Sequence, residues 1–206
     1  MSRYTGPRLK QMRSVGAQLP GLSRKSIDRR PFPPGMKDGQ FRRKKSDYGL
    51  HLQEKQKLRF NYGVTEKYLR KIVSEAFRSR EHSGYKLLEL LERRLDSFVF
   101  RSGLAPTIPA ARQLVRHNHV LVNGKRVNIP SYRMAAGDEV SFTAKGKKIG
   151  IVVSSIEQPS LSRPAWLAYD ADKETAKVLT NPDRESFPFQ IEESLVVEFY
   201  ARSVKG

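Results

Sequence analysis

The 206-residue sequence contains no cysteine, so disulfides, four-cysteine zinc knuckles and thiol catalysis are excluded. No cofactor or metal is expected. The sequence also has no run approaching the ~20 apolar residues that span a bilayer. Its basic start is not followed by an apolar stretch, which argues against a secretory signal. Ser2 occupies the position where myristoylation requires glycine, so no membrane partner is expected.

Acidic residues are scarce: 21 Asp and Glu oppose 39 Lys and Arg, for a formal net charge of +18. Such a charge opposes compaction unless an anionic partner neutralises it, and nucleic acid is the expected partner. The excess is uneven, with net charges of +12 over 1–60, +9 over 61–150 and −3 over 151–206. The acidic final quarter is predicted to be a folding partner or a protein contact.

Residues 1–45 are predicted to form a basic irregular arm, because proline and glycine recur throughout and interrupt regular structure. The segment holds 13 Lys and Arg against 2 acids. A solvated tail in the free protein and an arm ordered by RNA are both compatible with this composition. The RNA-binding candidates here are Arg3, Tyr4, Arg8, Lys10, Arg42, Arg43, Lys44 and Lys45.

Residues 46–93 are predicted to form a helical domain. Ser46 and Thr65 each precede apolar residues at helical spacing and are predicted N-caps, with Gly63 as a stop between the two helices. A third helix is predicted over 87–99. The RNA-binding candidates in this domain are Tyr48, Lys55, Lys57 and Arg59.

Residues 94–158 change character. Thr107 is predicted to cap a short helix, and Asn123-Gly124 between alternating apolar residues predicts a β-hairpin over 120–127, because both turn positions need positive φ. A further strand is predicted over 139–143, followed by a basic loop at 145–148. Within 159–206, strands are predicted over 166–169, 176–180 and 195–200. Trp166 is predicted to be a core residue, and 195–200 is predicted to pack into the helical domain.

Polar residues in the middle of the chain are biased toward RNA contact. Arg112 and Arg116 lie four residues apart and share a helix face. Six Lys and Arg and no acid occur from Arg101 to Arg133, whereas a merely solvated surface mixes both signs. Guanidinium groups match phosphate, and small polar groups reach 2′-hydroxyls. The candidates are Arg94, Thr107, Arg112, Gln113, Arg116, His117, Asn118, Lys125, Arg126, Ser131, Tyr132 and Arg133.

The region 94–158 resembles the alpha-L RNA-binding module, in which two helices and a small sheet bind structured RNA. The resemblance rests on Arg94-Leu95-Asp96, Ala111-Arg112-Gln113-Leu114-Val115, Val122-Asn123-Gly124, Val127-Asn128-Ile129-Pro130-Ser131-Tyr132 and Gly137-Asp138. The module also occurs in some pseudouridine synthases and tyrosyl-tRNA synthetases, so the flanking sequences decide between families.

The flanks resemble the family of the fourth protein of the small ribosomal subunit. They are Arg3-Tyr4-x-Gly6-Pro7, Ser46-Asp47-Tyr48-Gly49 and Leu195-Val196-Val197-Glu198-Phe199-Tyr200. The resemblance covers nearly the whole chain, most weakly at 15–45 and 144–190. The stretch Thr107-Ile108-Pro109-Ala110-Ala111-Arg112 is similar to cyanobacterial and plastid members. Some bacterial members hold zinc through four cysteines, which this chain lacks.

The resemblance implies an α+β fold, in which a helical domain is completed by the C-terminal segment and carries the module as an insertion. It implies direct binding to small-subunit rRNA, nucleation of assembly, and contacts with neighbouring small-subunit ribosomal proteins that affect decoding accuracy. It also implies a place near the side where mRNA enters. Cytoplasm and plastid stroma both remain open as the location of that ribosome.

Two other functions stay as alternatives at this stage. An RNA-modifying enzyme would need a catalytic domain of about 150 residues beside the module, for which little sequence remains. The four histidines are scattered, and no catalytic or metal-binding set is predicted, so the chain is not expected to be an enzyme. A DNA-compacting factor is distinguished by comparing binding to structured rRNA and to duplex DNA.

Overall fold

A computed structural model describes residues 4–36 and 44–204, with side chains as far as Ala201. The chain divides into two compact units. Unit 1 combines the described residues of Met1–Leu87 with those of Phe189–Gly206, and unit 2 is formed by Leu88–Pro188. Unit 1 is therefore discontinuous in sequence, with unit 2 inserted into it. The mixture of helices with a small sheet confirms the predicted α+β class.

The first segment of unit 1 contains a helix, α1 (Arg8–Val15). Met12, Val15, Leu19 and Leu22 are buried together in one cluster. The predicted irregular arm is therefore wrong for this segment. Met12 and Val15 lie three residues apart on one face of α1, and Leu19 and Leu22 join their cluster from the chain beyond the helix. The glycine and proline residues lie at the ends of the helix or beyond it.

Helices α2 (Asp47–Asn61) and α3 (Glu66–Arg78) confirm the predicted caps. The Ser46 hydroxyl accepts a hydrogen bond from the Gly49 amide at 3.3 Å, and the Thr65 hydroxyl accepts one from the Tyr68 amide at 3.3 Å. Gly63 follows α2 with a φ of 56°, which a glycine adopts without strain. These local signals position the two helices on which the rest of unit 1 packs.

The last element of unit 1 is helix α9 (Glu193–Val204), so the predicted strand over 195–200 is wrong. Val196 and Tyr200 are both buried and lie four residues apart, on one face of the helix. The helix packs against α2 and α3. Because α2 and α3 are far from α9 in the sequence, the local pattern over 195–200 cannot show that they cover it.

Helix α4 (Ser83–Glu92) is followed by α5 (Leu95–Arg101) and α6 (Ile108–Arg116). The single helix predicted over 87–99 is wrong, because the backbone at Arg94 is extended and forms a β-bridge with Arg133. The predicted cap of α6 is confirmed, since the Thr107 hydroxyl accepts a hydrogen bond from the Ala110 amide.

Unit 2 contains an antiparallel sheet in the order β2-β1-β3-β5-β4. Its strands are β1 (Val120–Val122), β2 (Lys125–Arg126), β3 (Glu139–Phe142), β4 (Leu167–Asp170) and β5 (Thr175–Val178). The predicted hairpin is confirmed, with positive φ at Asn123 and Gly124. The strand predicted over 139–143 is also confirmed.

The structure departs from the predicted boundary between 158 and 159. Strand β5 pairs with β3, with Ala176 opposite Val140, so residues 159–188 complete unit 2 rather than the helical domain. The open edge of β3 provides the hydrogen-bonding partner that a two-stranded ribbon lacks. The predicted basic loop at 145–148 also differs, because α7 (Ala144–Lys147) and α8 (Gly150–Glu157) follow β3.

Trp166 lies in the core of unit 2, as predicted. Its ring is 5.9 Å from that of Phe98, and both side chains are buried. Within the described residues, no helix combines the length and the hydropathy needed to cross a membrane.

Candidate nucleic-acid interface

The fully buried carboxylate of Asp96 lies at the centre of an ion cluster in unit 2. Arg94 donates to it through Nε (3.0 Å) and Nη2 (2.8 Å), and Arg112 through Nε (2.9 Å) and Nη2 (2.7 Å). Both arginines were predicted RNA contacts. The structure directs both guanidinium groups toward Asp96, and the Arg112 side chain is only 19% exposed, so RNA contact by either arginine stays a prediction.

The Asp96 cluster fixes the start of α5 against α6. Asp96 also occupies the first turn of α5, where the helix dipole favours a negative charge. The Leu95 amide donates to the Tyr132 carbonyl at 2.8 Å, and the Asp96 amide donates to the Pro130 carbonyl at 3.2 Å. The loop containing Ser131, Tyr132 and Arg133 is therefore anchored beside the same helix. Tyr132 and Arg133 are exposed, and Ser131 is half-buried.

The remaining predicted residues of unit 2 lie at the surface. Four are at or just beyond the C-terminal end of α6 and two on β2: Gln113, Arg116, His117, Asn118, Lys125 and Arg126. In the described part of the chain, no carboxylate forms an ion pair with Arg116, Lys125 or Arg126. Thr107 differs from this set because it is buried and its hydroxyl caps α6, which corrects its prediction as an RNA contact.

In unit 1, two predicted contacts are internal. Lys55 is 6% exposed, forms an ion pair with Glu66 at 3.0 Å and lies 4.6 Å from the centre of the Phe199 ring. Lys57 forms an ion pair with Glu54 and is largely buried. Both predictions are corrected. Their charges are neutralised inside the helical packing, which the spacing of basic residues on α2 does not reveal.

The other predicted residues of unit 1 are more accessible. Arg59 is half-buried and donates to the Gln56 side chain at 3.3 Å. The exposed candidates are Tyr4, Arg8, Lys10, Lys44, Lys45 and Tyr48. Arg3, Arg42 and Arg43 lie outside the described residues. The structure therefore leaves the two units each with an exposed basic surface.

Comparisons with known proteins cover nearly the whole chain. A family model described as the ribosomal protein S4/S9 N-terminal domain matches residues 3–92, and an S4 domain model matches residues 93–140. Small ribosomal subunit protein uS4 of Methylobacillus flagellatus is 55% identical over 98% of both chains. The chain belongs to the uS4 family. Its relatives include uS4B of Nitrosomonas europaea, 54% identical over 98% of both chains. Protein uS4 of Crocosphaera subtropica is 52% identical over 99% of this chain and 100% of its own.

Membership of the uS4 family confirms the predicted resemblance, including the similarity to cyanobacterial members. The members are structural proteins of the ribosome, which decides against the RNA-modifying enzyme. In the described residues, no group of His, Asp and Glu is arranged to hold a metal ion. The S4 domain match ends at residue 140, so β4 and β5 extend the sheet beyond the matched region.

Two basic residues, Lys145 in α7 and Lys148 directly after it, were missed as site residues by the sequence analysis. Lys145 and Lys148 are exposed. Gly146 between them is buried, and a Cβ atom there would lie 2.9 Å from the His119 carbonyl oxygen. Glycine therefore lets α7 approach the segment after α6, which extends the basic surface. The charge run at 145–148 was the available signal, but it was interpreted only as a loop.

The environment of Glu66 predicts a pH-dependent stability of unit 1. Burial raises the pKa of Glu66, but hydrogen bonds from Tyr200 and Lys55 and the charges of Lys55 and Arg59 outweigh it and hold that pKa below its usual 4.5. A lowered carboxyl pKa stabilises the folded state above pH 4.5, and this contribution is lost as pH falls through the lowered value.

We expect Glu66→Gln to lower the thermal midpoint at pH 7, and the difference from the parent to shrink as the pH falls from 5 to 3. Circular dichroism melts across that range measure it. Glu81→Gln changes an exposed carboxylate of the same unit and is the matched control. An equal difference at pH 7 and pH 3 would show that the charge of Glu66 contributes nothing.

Proposed function

We propose that the chain binds small-subunit rRNA directly, mainly through unit 2, and that this binding nucleates assembly of the small subunit. The observation that carries the proposal is that the cations of unit 2 fall into two sets, one held by a buried carboxylate and one exposed at the surface. Arg94 and Arg112 both donate to one buried carboxylate, Asp96, whereas Arg116, Lys125 and Arg126 are exposed and have no carboxylate partner among the residues that the structure describes. Unneutralised cations on a rigid surface bind phosphates with little reorganisation.

The proposal extends to the partners of the assembled subunit. The basic N-terminal segment and the exposed Lys44 and Lys45 support RNA binding by unit 1 as well. Contacts with neighbouring small-subunit ribosomal proteins, an effect on decoding accuracy and a place near the side where mRNA enters are part of the same proposal. Their support is family membership, since relatives at more than 50% identity carry the name of a small-subunit protein.

The proposed rRNA surface is tested by the combined variant Arg116→Ala, Lys125→Ala, Arg126→Ala. Each lost phosphate contact should lower the slope of log K against log salt by about 0.7–0.9. Three lost contacts therefore lower it by about 2–3 and weaken binding to naked small-subunit rRNA. Filter binding at several salt concentrations measures both quantities, with no other ribosomal protein present.

The combined variant Lys173→Ala, Lys177→Ala is the matched control, because both lysines are exposed in unit 2 but lie on β5 and the turn before it. It should keep most of the slope. Equal slopes for the parent and the triple variant would contradict the proposed surface. Equal affinity of the parent for duplex DNA and for rRNA would favour the DNA-compacting alternative.

A further inference from the structure

We infer that His82 and Tyr85 form a stacking site for an unpaired RNA nucleotide, with Arg78 and Arg80 placed to bind its phosphates. This inference rests on the proposed RNA-binding function and adds a site of defined chemistry in unit 1. The site lies at the junction between α3 and α4 and includes none of the residues predicted from the sequence to bind RNA.

The two rings form a pair at the surface. Their centroids are 4.5 Å apart with an interplanar angle of 39°, and both residues are exposed, Tyr85 to 50%. By contrast, Tyr62 and Tyr200 in the same unit are buried in its core. A tyrosine ring half in water contributes little to folding, whereas its free face suits a nucleobase.

The backbone holds this pair in a fixed position. Gly84 is buried between the two aromatic residues, and a Cβ atom there would lie 2.7 Å from Cγ of Glu193 and 3.2 Å from Cε1 of His82. Glycine thus allows the start of α4 to lie directly against α9 and the His82 ring. The His82 carbonyl accepts the Lys86 amide at 3.0 Å. The rings therefore need little ordering when a base stacks on them.

The charges around the pair favour a nucleotide over an apolar protein segment. Arg78 is in the last turn of α3 and Arg80 follows two residues later, and both are exposed. Neither forms an ion pair with any residue that the structure describes. Glu81, which lies between them and the rings in the sequence, is 3.4 Å from Lys86 and is thereby partly neutralised. A second acid, Glu193 of α9, lies with its side chain against Gly84.

Aromatic rings beside guanidinium groups match the two halves of a nucleotide. The rings can stack on the base, and the guanidinium groups can donate to the flanking phosphates. A paired base is already stacked within its helix, so the nucleotide must come from a loop, bulge or end of the RNA. The ligand class is therefore an unpaired nucleotide in structured RNA.

The test uses full-length protein and transcribed small-subunit rRNA. Tyr85→Ala and Tyr85→Leu remove the ring, and the leucine variant retains an apolar side chain that protects against loss of folding. Both should weaken rRNA binding by about fivefold or more, the effect of losing one stacked base. The slope of log K against log salt should stay unchanged, because no phosphate contact is lost. Tyr85→Phe keeps the ring and should bind like the parent.

Two further measurements complete the test. Arg80→Ala should lower the salt slope by about 0.7–0.9, and ultraviolet crosslinking should attach RNA to Tyr85 or His82. Parent-like affinity of both ring-removing variants would overturn the stacking site. Normal rRNA binding by Tyr85→Ala with loss of a neighbouring ribosomal protein would overturn it in favour of a protein contact. Failure of the parent to bind rRNA would instead refute the proposed function itself.

Discussion

Replacing Asp96 with alanine is expected to lower the free energy of unfolding of unit 2 by about 3–5 kcal/mol, the range for removing one partner of a buried ion pair. The change leaves the guanidinium groups of Arg94 and Arg112 without the carboxylate to which both donate. It also removes a negative charge from the first turn of α5. The effect therefore combines lost hydrogen bonds with uncompensated buried charge.

The single tryptophan of the chain provides the measurement. Trp166 is buried in unit 2 beside Phe98, so its fluorescence during urea unfolding reports on that unit. Asp172→Ala changes an exposed aspartate of the same unit and should stay within about 0.5 kcal/mol of the parent. Parent-like unfolding of the Asp96 variant would mean that Arg112 is not held internally and could serve as an RNA contact.

Replacing Tyr200 with alanine is expected to destabilise unit 1 by about 3–5 kcal/mol, as for other buried aromatic side chains. Tyr200 is buried on the inner face of α9, and its hydroxyl donates to Glu66 at 2.7 Å. Truncation to alanine leaves a cavity and removes a hydrogen bond to a carboxylate. Tyr200→Phe removes only that hydrogen bond, so we expect a loss of about 1.5–3 kcal/mol.

The two units can be separated in this experiment. Helical circular dichroism should show an earlier transition for the Tyr200 variants, whereas the Trp166 fluorescence transition of unit 2 should keep its midpoint. Ser194→Ala alters an exposed position of α9 and is the control. A shift of the fluorescence midpoint together with the dichroism signal would contradict the assignment of α9 to unit 1 alone.

Features determined by neighbouring residues could be predicted from the sequence. The caps at Ser46, Thr65 and Thr107 depend on a side chain and an amide three residues away. The hairpin depends on Asn123-Gly124, which adopts the positive φ values of its turn. The family resemblance depended on ordered motifs over the whole length, and the comparisons confirm it.

Features determined by distant residues could not be predicted in this way. The basic stretch from Arg101 to Arg133 contains no acid, yet Asp96 reaches Arg112 from the preceding helix. Lys55 is neutralised by Glu66 across a turn between two helices. In both cases the sequence shows how many basic residues are present, but packing decides which of them face the solvent. Candidate contacts taken from charge therefore include residues that stabilise the fold.

The insertion of unit 2 into unit 1 imposes an order on folding during synthesis. Residues 88–188 are all made before the first residue of α9, so unit 2 is complete while α2 and α3 still lack the helix that covers them. At 5–20 residues per second, this delay is on the order of ten seconds. Slow codons for residues 88–188 would lengthen the time during which α2 and α3 lack α9. The apolar faces that α9 covers on these two helices would then stay exposed for longer.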